Sequence, residues 1–377
     1  MTNDSEQSEH RPMPRRPPGL VFLIPGFPKD EADTTCLPAV QHFVAAFAEA
    51  HPELQMHVLA FQYPFTRGVY GWRNVIVHAL GGRNQRRLRR LATWARAGLA
   101  FLTIYRQTDV QALHSFWLTE CTWVARRLSR LFRLRHIASI GGQDALEDNP
   151  YHAYLNLKGT ILTAGSAFAA ATYTRHSERA VDHVIPLGLD AAHLQQIAAP
   201  PERDIDVLGV GSLTSVKNYA AFVDVVAHLV PAFPQVRACL VGDGPLREDL
   251  LRGIAERGLQ EHVVLAGALP RDEAFRYMLR SKVFLHTARY ESQGYVFLEA
   301  LFAGLPVVCF DVGYTGASDR VVRCAALPAM ADAVADLLRT SLRYTQVAVP
   351  TTEDTVRAFE PLYALQWSLL NPAPGAT

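Results

Sequence analysis

Between Ile205 and Phe310 the chain repeats one pattern. Five short, continuous apolar runs stand in order: IDVLGVG (Ile205–Gly211), RACLVG (Arg237–Gly242), HVVLAG (His262–Gly267), VFLH (Val283–His286) and PVVCF (Pro306–Phe310). Helix-length segments separate most of them. Tyr219–Val230 and Leu246–Arg257 carry apolar residues at helical spacing, the second with Arg and Glu on its outer face. A strand that is apolar at every position has no face for water, so its sheet must be covered on both sides, and helical connections make that sheet parallel. Gly211, Gly242 and Gly267 close three of the runs, where a doubly wound sheet opens its ligand crevice. The pattern predicts a Rossmann-like domain over residues 204–345.

The first half follows the same logic less cleanly. Leu20–Ile24 reads as a strand entering Pro25-Gly26-Phe27-Pro28, Val40–Ala50 as a helix and Met56–Phe61 as a second strand. Val110–His114, His136–Ile140 and Thr160–Ala164 are further strand candidates. A chain of 377 residues exceeds one ordinary core, so a second Rossmann-like domain over 19–186 is the economical reading. Pro186, Gly188, Pro200 and Pro201 mark a hinge over 187–203. Residues 1–18 are polar and proline-rich and are expected to be a disordered tail. Residues 346–377 are expected to hold an apolar-striped terminal helix, Phe359–Leu370, and a tail.

Charge narrows the partners. Lys and Arg number 37 against 36 Asp and Glu, so no global pull toward nucleic acid is expected, and aromatic stacking motifs for nucleic acid are missing. Five widely spaced cysteines without a Cys-x-x-Cys pair read as reduced core thiols. No leader-like segment opens the chain and no apolar stretch approaches the ~20 residues of a spanning helix, so a cytoplasmic, soluble or peripheral protein is expected. The arginines are nevertheless clustered. Arg83, Arg86, Arg87, Arg89, Arg90 and Arg96 form one group, and Arg126, Arg127, Arg130, Arg133 and Arg135 another, with almost no acids between. With Trp94, Leu99, Phe101, Leu102 and Ile104 beside them, two readings stand: a helix lying on the anionic inner face of the plasma membrane, or a solvated basic helix with a buried apolar face.

The richest chemistry lies in ARYESQGYVFLEALFAGLPVVCFD, from Ala288. A polar turn precedes a helix over about Tyr295–Ala303 that is apolar at nearly every position, and Glu299 is that helix's only charge. A carboxylate there must be paired, hydrogen-bonded or facing a cleft. Glu291 sets a second carboxylate just before the helix. The helix N-terminus offers unpaired N–H groups and partial positive charge, which suit a phosphate, and Gly294 lets the backbone approach it. Taken alone, a donor site and a pair of structural glutamates are equally good readings.

The flanking blocks separate them. VGSLTSVKN from Val210, VGDGPLREDL from Val241, HVVLAGALPRDEAFRYM from His262 and ESQGYVFLEALFAGLPVV from Glu291 together resemble, over about 140 residues, the donor-binding domain of the family-4 retaining glycosyltransferases of the GT-B fold. Their signature of two glutamates separated by seven residues matches Glu291 and Glu299. The resemblance implies an α/β fold of two Rossmann-like domains facing across a cleft, with a C-terminal helix packing back on the first. It implies that Lys217 contacts the donor diphosphate, Glu291 the transferred sugar and Glu299 the ribose. Gly294, Tyr295 and Val296 then lie near the phosphates, Ala268 and Leu269 near the base, and Gly26 in a glycine loop across the cleft. Lys217 and Glu291 are the residues on which catalysis is expected to rest.

Two positions depart from the family pattern. Ser212 stands where an arginine is usual, with Arg289 and Arg175 as candidate substitutes. Gly141 stands where a cleft histidine is usual, within a Ser139–Asp144 turn whose Gln143 and Asp144 become candidate sugar or acceptor contacts, Asp144's other reading being a turn residue that caps the backbone. His114, ending an apolar run, is a further candidate contact, its other reading being a satisfied core histidine. No Asp-x-Asp motif or His/Cys cluster has metal spacing. The expected partners are therefore a nucleotide sugar and a glycan or lipid-linked acceptor, with no cofactor or metal. A non-catalytic nucleotide-sugar-binding protein and a GT-B nucleotide-sugar epimerase share these features and stay open. A dehydrogenase is disfavoured because no Gly-x-Gly-x-x-Gly follows the first strand.

Overall fold

The structure is a computed structural model that describes residues 16–85, 88–177, 179–200, 202–314, 316 and 318–364. Most of the amino-terminal tail, Arg86, Arg87, Pro201 and positions 365–370 of the expected terminal helix lie outside the described residues, as does the side chain of Arg89. Two sheets build the molecule. The first contains β1 (Pro18–Gly26), β2 (Gln55–Tyr63), β3 (Gly68–Trp72), β4 (Val75–Ala79), β5 (Asp109–Phe116), β6 (Arg135–Ile140), β7 (Ile161–Ala164) and β8 (His183–Val184). Their order is β3-β4-β2-β1-β5-β6-β7-β8, parallel except for the β3–β4 pair. The second contains β9 (Ile205–Val210), β10 (Ala238–Val241), β11 (Val263–Gly267), β12 (Ser281–His286), β13 (Val307–Cys309) and β14 (Val321–Arg323), ordered β11-β10-β9-β12-β13-β14 and parallel throughout. That is the 3-2-1-4-5-6 order of a Rossmann domain, and its chain reversal falls between β9 and β12.

Helices α1 (Pro38–Ala50), α2 (Leu88–Gln107), α3 (Glu120–Phe132), α4 (Ala167–Ser177) and α5 (Ala191–Gln195) come from the first half and the crossing. Helices α6 (Tyr219–Leu229), α7 (Arg247–Glu256), α8 (Arg271–Leu279), α9 (Tyr295–Phe302), α10 (Leu327–Arg339) and α11 (Thr352–Tyr363) follow. Central strand β1 shows why both sheet faces must be covered. Leu20, Phe22 and Ile24 pack on one side with α1 and α11, while Val21 and Leu23 pack on the other with α2 and α3. Successive side chains leave opposite faces of a strand, so a run of five apolar residues requires two cores.

Three features depart from the expectation. Strands β3 and β4 were not expected: β3 is a mostly exposed edge carrying Gly68 and Gly71, and β4, with the short apolar run Val75–Val77, alternates buried and half-buried residues. Strand β14 is only three residues long. Helix α11 begins at Thr352, seven residues before the expected start, because Thr351 and Asp354 form a reciprocal capping box.

Helix α11 returns to the first domain, as expected. Phe359 lies 5.0 Å from Phe43 and Tyr363 lies 5.1 Å from Phe47, ring centre to ring centre. The two interdomain crossings run side by side, with Leu189 N–H donating to Pro350 O at 2.9 Å and Thr352 N–H to Leu189 O at 2.9 Å. The docking of α11 has a polar pin: Tyr363 Oη meets His114 Nδ1 at 2.7 Å in the core. Tyr363→Phe strands that buried nitrogen, and the expected cost is about 1–3 kcal/mol, read as a lower denaturation midpoint at unchanged slope.

Candidate functional site

The carboxyl ends of both sheets open onto one cleft of about 850 Å³ between the domains. Val210 and Gly211 after β9 and Tyr290–Val296 after β12 line it from the second domain; Phe116 after β5, Ile140–Gln143 after β6 and Ala164 after β7 line it from the first. It therefore sits at the chain reversal of the second sheet, where adjacent strands lead their loops apart.

Glu291 is almost buried on the floor of this cleft and is held from two sides. Lys217 Nζ donates to its Oε1, and His286 Nε2 donates to the same oxygen at 3.0 Å. Burial alone would raise the carboxyl pKa, but the His286 hydrogen bond and the Lys217 charge outweigh it and hold Glu291 down at about 2. Burial lowers the His286 pKa despite Glu291, which leaves a neutral ring with its proton on Nε2. Lys217 itself ends a short 3-10 turn, Ser215–Lys217, whose last carbonyls accept from Thr287 Oγ1 at 3.1 and 2.9 Å. Strand β12 thus fixes both the carboxylate and its cation.

Glu299 is the second carboxylate, one turn inside α9. Arg271 Nε donates to it at 2.9 Å, and both side chains are only 13% exposed. Arg271 Nη2 donates to Tyr295 Oη at 3.2 Å, and that hydroxyl donates to Gly188 O at 3.0 Å. Burial disfavours the Arg271 charge, but Glu299 and Tyr295 more than offset this, so the guanidinium pKa is raised. Arg271 Nη1 also reaches across the cleft to His42 Nε2 on α1. Burial first, and Arg271 second, depress His42 to about 4 although Asp190 opposes them; its neutral Nε2 accepts the bond. Gly294 caps α9 with φ 69°, and a Cβ there would fall 2.7 Å from the Phe297 ring. The helix therefore starts bare, presenting first-turn N–H groups that have no carbonyl within the helix to bond.

Several expectations change. Gly141, Gln143, Lys217, Glu291, Gly294, Tyr295, Val296 and Glu299 all line the cleft. Gly26, Ser212, Ala268 and Leu269 do not: Gly26 packs under Tyr63 and Cys36, Ser212 is exposed, and Ala268–Leu269 follow the edge strand β11. His114 is a sealed core histidine, bonded to Tyr363 and to Ser139 Oγ at 2.7 Å, because β5 turns it into the sheet face covered by α11. Asp144 is a buried brace rather than a contact, accepting from Leu118 N at 2.6 Å and Gly141 N at 3.1 Å. Neither candidate substitute for the missing arginine reaches the cleft: Arg289 lies over the Phe310 ring and Arg175 is exposed on α4. Among the described lining residues the cations are Lys217 and Arg271. Arg271 was legible as an anomaly, a cation on the first turn of α8 against the helix dipole.

The interfacial-helix reading also needs revision, because α2 spends Phe101 and Ile104 in the core and Trp94 Nε1 donates to Glu120 at 2.8 Å. What remains outside is Leu91 and Leu99 on α2 and Leu131 on α3. No helix among the described residues is long and apolar enough to cross a membrane, and none of their His, Cys, Asp and Glu groups is arranged to hold a metal ion. The five cysteines are free, four of them buried.

Two Rossmann-like domains facing across a cleft, with the terminal helix returned to the first, define the GT-B class of fold. Residues 191–321, most of the second domain, match the family model of glycosyl transferases group 1. The chain is 32% identical over 203 residues to a 2-deoxystreptamine glucosyltransferase of Streptomyces kanamyceticus, covering 51% of this chain and 52% of that one. It spans about half the length, or less, of the curated relatives it matches. Among solved structures, sucrose-phosphate synthase of Thermosynechococcus elongatus superposes with a TM-score of 0.62 at 17% identity, covering 93% and 98% of the two chains. Anabaena HepE in complex with UDP and glucose does so with 0.61 at 16% identity, covering 94% and 95%. Both share the fold.

Asp144 carries a pH signature. Burial lifts its pKa from 3.8 to about 7, although the two N–H groups pull the other way. The folded chain then keeps a proton that the unfolded chain has released, so stability falls as pH rises from about 4 to about 7. Asp144→Asn keeps a carbonyl to accept both N–H groups, and its melting temperature should lose that slope between pH 4 and 8.

Proposed function

We propose that the chain is a retaining, metal-independent glycosyltransferase that moves a hexosyl unit from a nucleotide diphosphate sugar to a glycan or lipid-linked acceptor. The observation that carries this reading is the pair of buried carboxylates, Glu291 and Glu299, lining one cleft at the open N-terminus of α9, each already neutralised by a cation. The group 1 match of the same domain supports it, as does the UDP and glucose named for the HepE structure of the same fold.

Each group has a task. Glu299 accepts from the ribose hydroxyls. Glu291 accepts from hydroxyls of the transferred sugar, and its depressed pKa keeps it an acceptor throughout the working range. Lys217 and the first N–H groups of α9 face the diphosphate. The acceptor oxygen bonds to C1 of the sugar while the bond from C1 to the phosphate oxygen breaks, its electron pair leaving with the nucleoside diphosphate. The acceptor hydroxyl proton passes to that departing oxygen, on the same face of the sugar, so configuration is retained. Preorganised positive charge, from Lys217 and the helix end, stabilises the leaving group without a metal.

A thermal-shift and turnover panel tests this. UDP and UDP-sugars should raise the melting temperature of the wild type; Glu299→Ala should abolish the shift, and Lys217→Ala should cut kcat by about 100-fold or more. Activity should survive EDTA. A wild type that no nucleotide or nucleotide sugar stabilises would sink the donor-site reading, and tight binding with no transfer to any acceptor would make the chain a binding protein.

The acceptor's setting, in surface polysaccharide, cell-wall or glycolipid assembly at the cytoplasmic face of a membrane, is supported by the outer surface of α2 and α3. Leu99 and Leu131 are 64% and 75% exposed, and Arg106, Arg127 and Arg130 are exposed on the same two helices. Leu99→Glu with Leu131→Glu should abolish co-sedimentation with phosphatidylglycerol vesicles while leaving the melting temperature within a degree or two. Equal sedimentation of wild type and double variant would remove this surface from consideration.

A further inference from the structure

A second cavity, of about 550 Å³, opens in the first domain behind the cleft. Its walls combine apolar surface, from Pro25, Leu37 and Trp117, with polar groups from Gln62, Asn84, Arg90, Glu120 and Tyr151. These groups are held in place before any ligand arrives. Glu120 accepts from the Gln62 amide, whose own oxygen accepts from Asn84 N at 2.6 Å, and Arg90 Nη1 donates to Tyr151 Oη at 2.7 Å. Only two residues, Leu37 and Trp117, line both this cavity and the cleft. Both have left-handed backbone, with φ 51° for Leu37 and 69° for Trp117. That conformation is uncommon for any side chain other than glycine, Asn or Asp and concentrates where structure serves a site.

Trp117 is fitted into its place with particular care. A Cβ at Gly141 would fall 2.8, 2.9 and 3.0 Å from Cε2, Nε1 and Cδ2 of the indole, a point over the ring face. Gly141 is therefore a seat for Trp117, and this explains the glycine where the family pattern has a histidine. Asp144 pins the seat and the tryptophan turn to one carboxylate oxygen, through Gly141 N and Leu118 N. Trp117 N–H donates to Ser139 O at 2.9 Å, and Thr122 Oγ1 donates to Trp117 O at 2.7 Å. The backbone on both sides is thus fixed, while indole Nε1 has no hydrogen-bond partner among the described residues.

The geometry points to a subsite for the acceptor, resting on the glycosyltransferase reading above: the second cavity takes a sugar or aminocyclitol ring, and Trp117 is the platform that sets that ring against the donor. A cyclic polyol has an apolar C–H face and a rim of hydroxyls. One indole face is covered by Gly141, so its other surfaces meet the two cavities, and the fixed amides, guanidinium and phenol match the hydroxyl rim. Trp117 acts here as a positioning and specificity-determining residue.

Saturation-transfer NMR with p-nitrophenyl β-glucoside, p-nitrophenyl N-acetyl-β-glucosaminide and 2-deoxystreptamine tests the subsite without a donor. At least one should bind the wild type, with ring protons saturated most strongly. Trp117→Ala should weaken it by about tenfold or more, the size of one lost aromatic contact, and Trp117→Phe should restore part of the loss. Gly141→Ala, which keeps the tryptophan but pushes it off its seat, should weaken binding similarly. The UDP-induced thermal shift of Trp117→Ala should match the wild type, which also certifies its fold. Binding that survives Trp117→Ala overturns the platform, and no binding of any probe to the wild type overturns the ring-acceptor class. Loss of the UDP shift in the wild type would count against the donor site alone.

Discussion

Charge neutralisation beneath the cleft is the constraint around which the second domain is arranged. A carboxylate moved from water into a protein interior loses several kcal/mol of hydration, and two sit within eight residues of each other on one loop and helix. Each is matched by a cation from a different element: Lys217 from the turn after β9, Arg271 from the start of α8. At an effective dielectric of ~20, a pair at ~4 Å gains about 4 kcal/mol, enough to hold Glu291 ionised against its burial. Both carboxylates are thus largely buried and each is paired with a cation. A ligand that brings hydroxyls to the glutamates and phosphate oxygens to Lys217 exchanges partners rather than burying new charge.

The arrangement also explains why the fold and part of the site were readable from the chain. A parallel strand buried on both faces writes its position locally, as a continuous apolar run, so the five runs of the second domain lie where strands formed. Strand β3, a mostly exposed edge with Gly68 and Gly71, and strand β14, three residues long, write no such run. Glu299 was legible for the opposite reason, as the one charge on a helix with no polar face. What a local pattern does not encode is which distant side chain answers it. Arg271 lies 28 positions before Glu299, His42 lies 229 before Arg271, and Tyr363 lies 249 after His114. Asp144 read either as a sugar or acceptor contact or as a turn residue capping the backbone, and only the fold shows that its oxygen closes two backbone turns. Gly141 read as a lost histidine until the indole above it showed what the missing side chain makes room for.

The two domains are joined more closely than their separate cores suggest. Gln293, in the loop that leads into α9, clasps Leu187 on both backbone groups, accepting from its N–H at 2.9 Å and donating to its carbonyl at 2.7 Å. Tyr295, the first residue of α9, bonds the next residue, Gly188. Leu189 then pairs with Pro350 and Thr352 on the returning strand. The loop that leads into α9 is therefore bonded directly to the first crossing, and through it to the second. Arg271 adds a third tie, from Glu299 to His42 on the opposite wall. Glu299 and the α9 terminus are therefore tied to the crossings and to the opposite wall through hydrogen bonds rather than through the apolar packing of either core. The bonds that shape the cleft are thus also bonds that join its two walls.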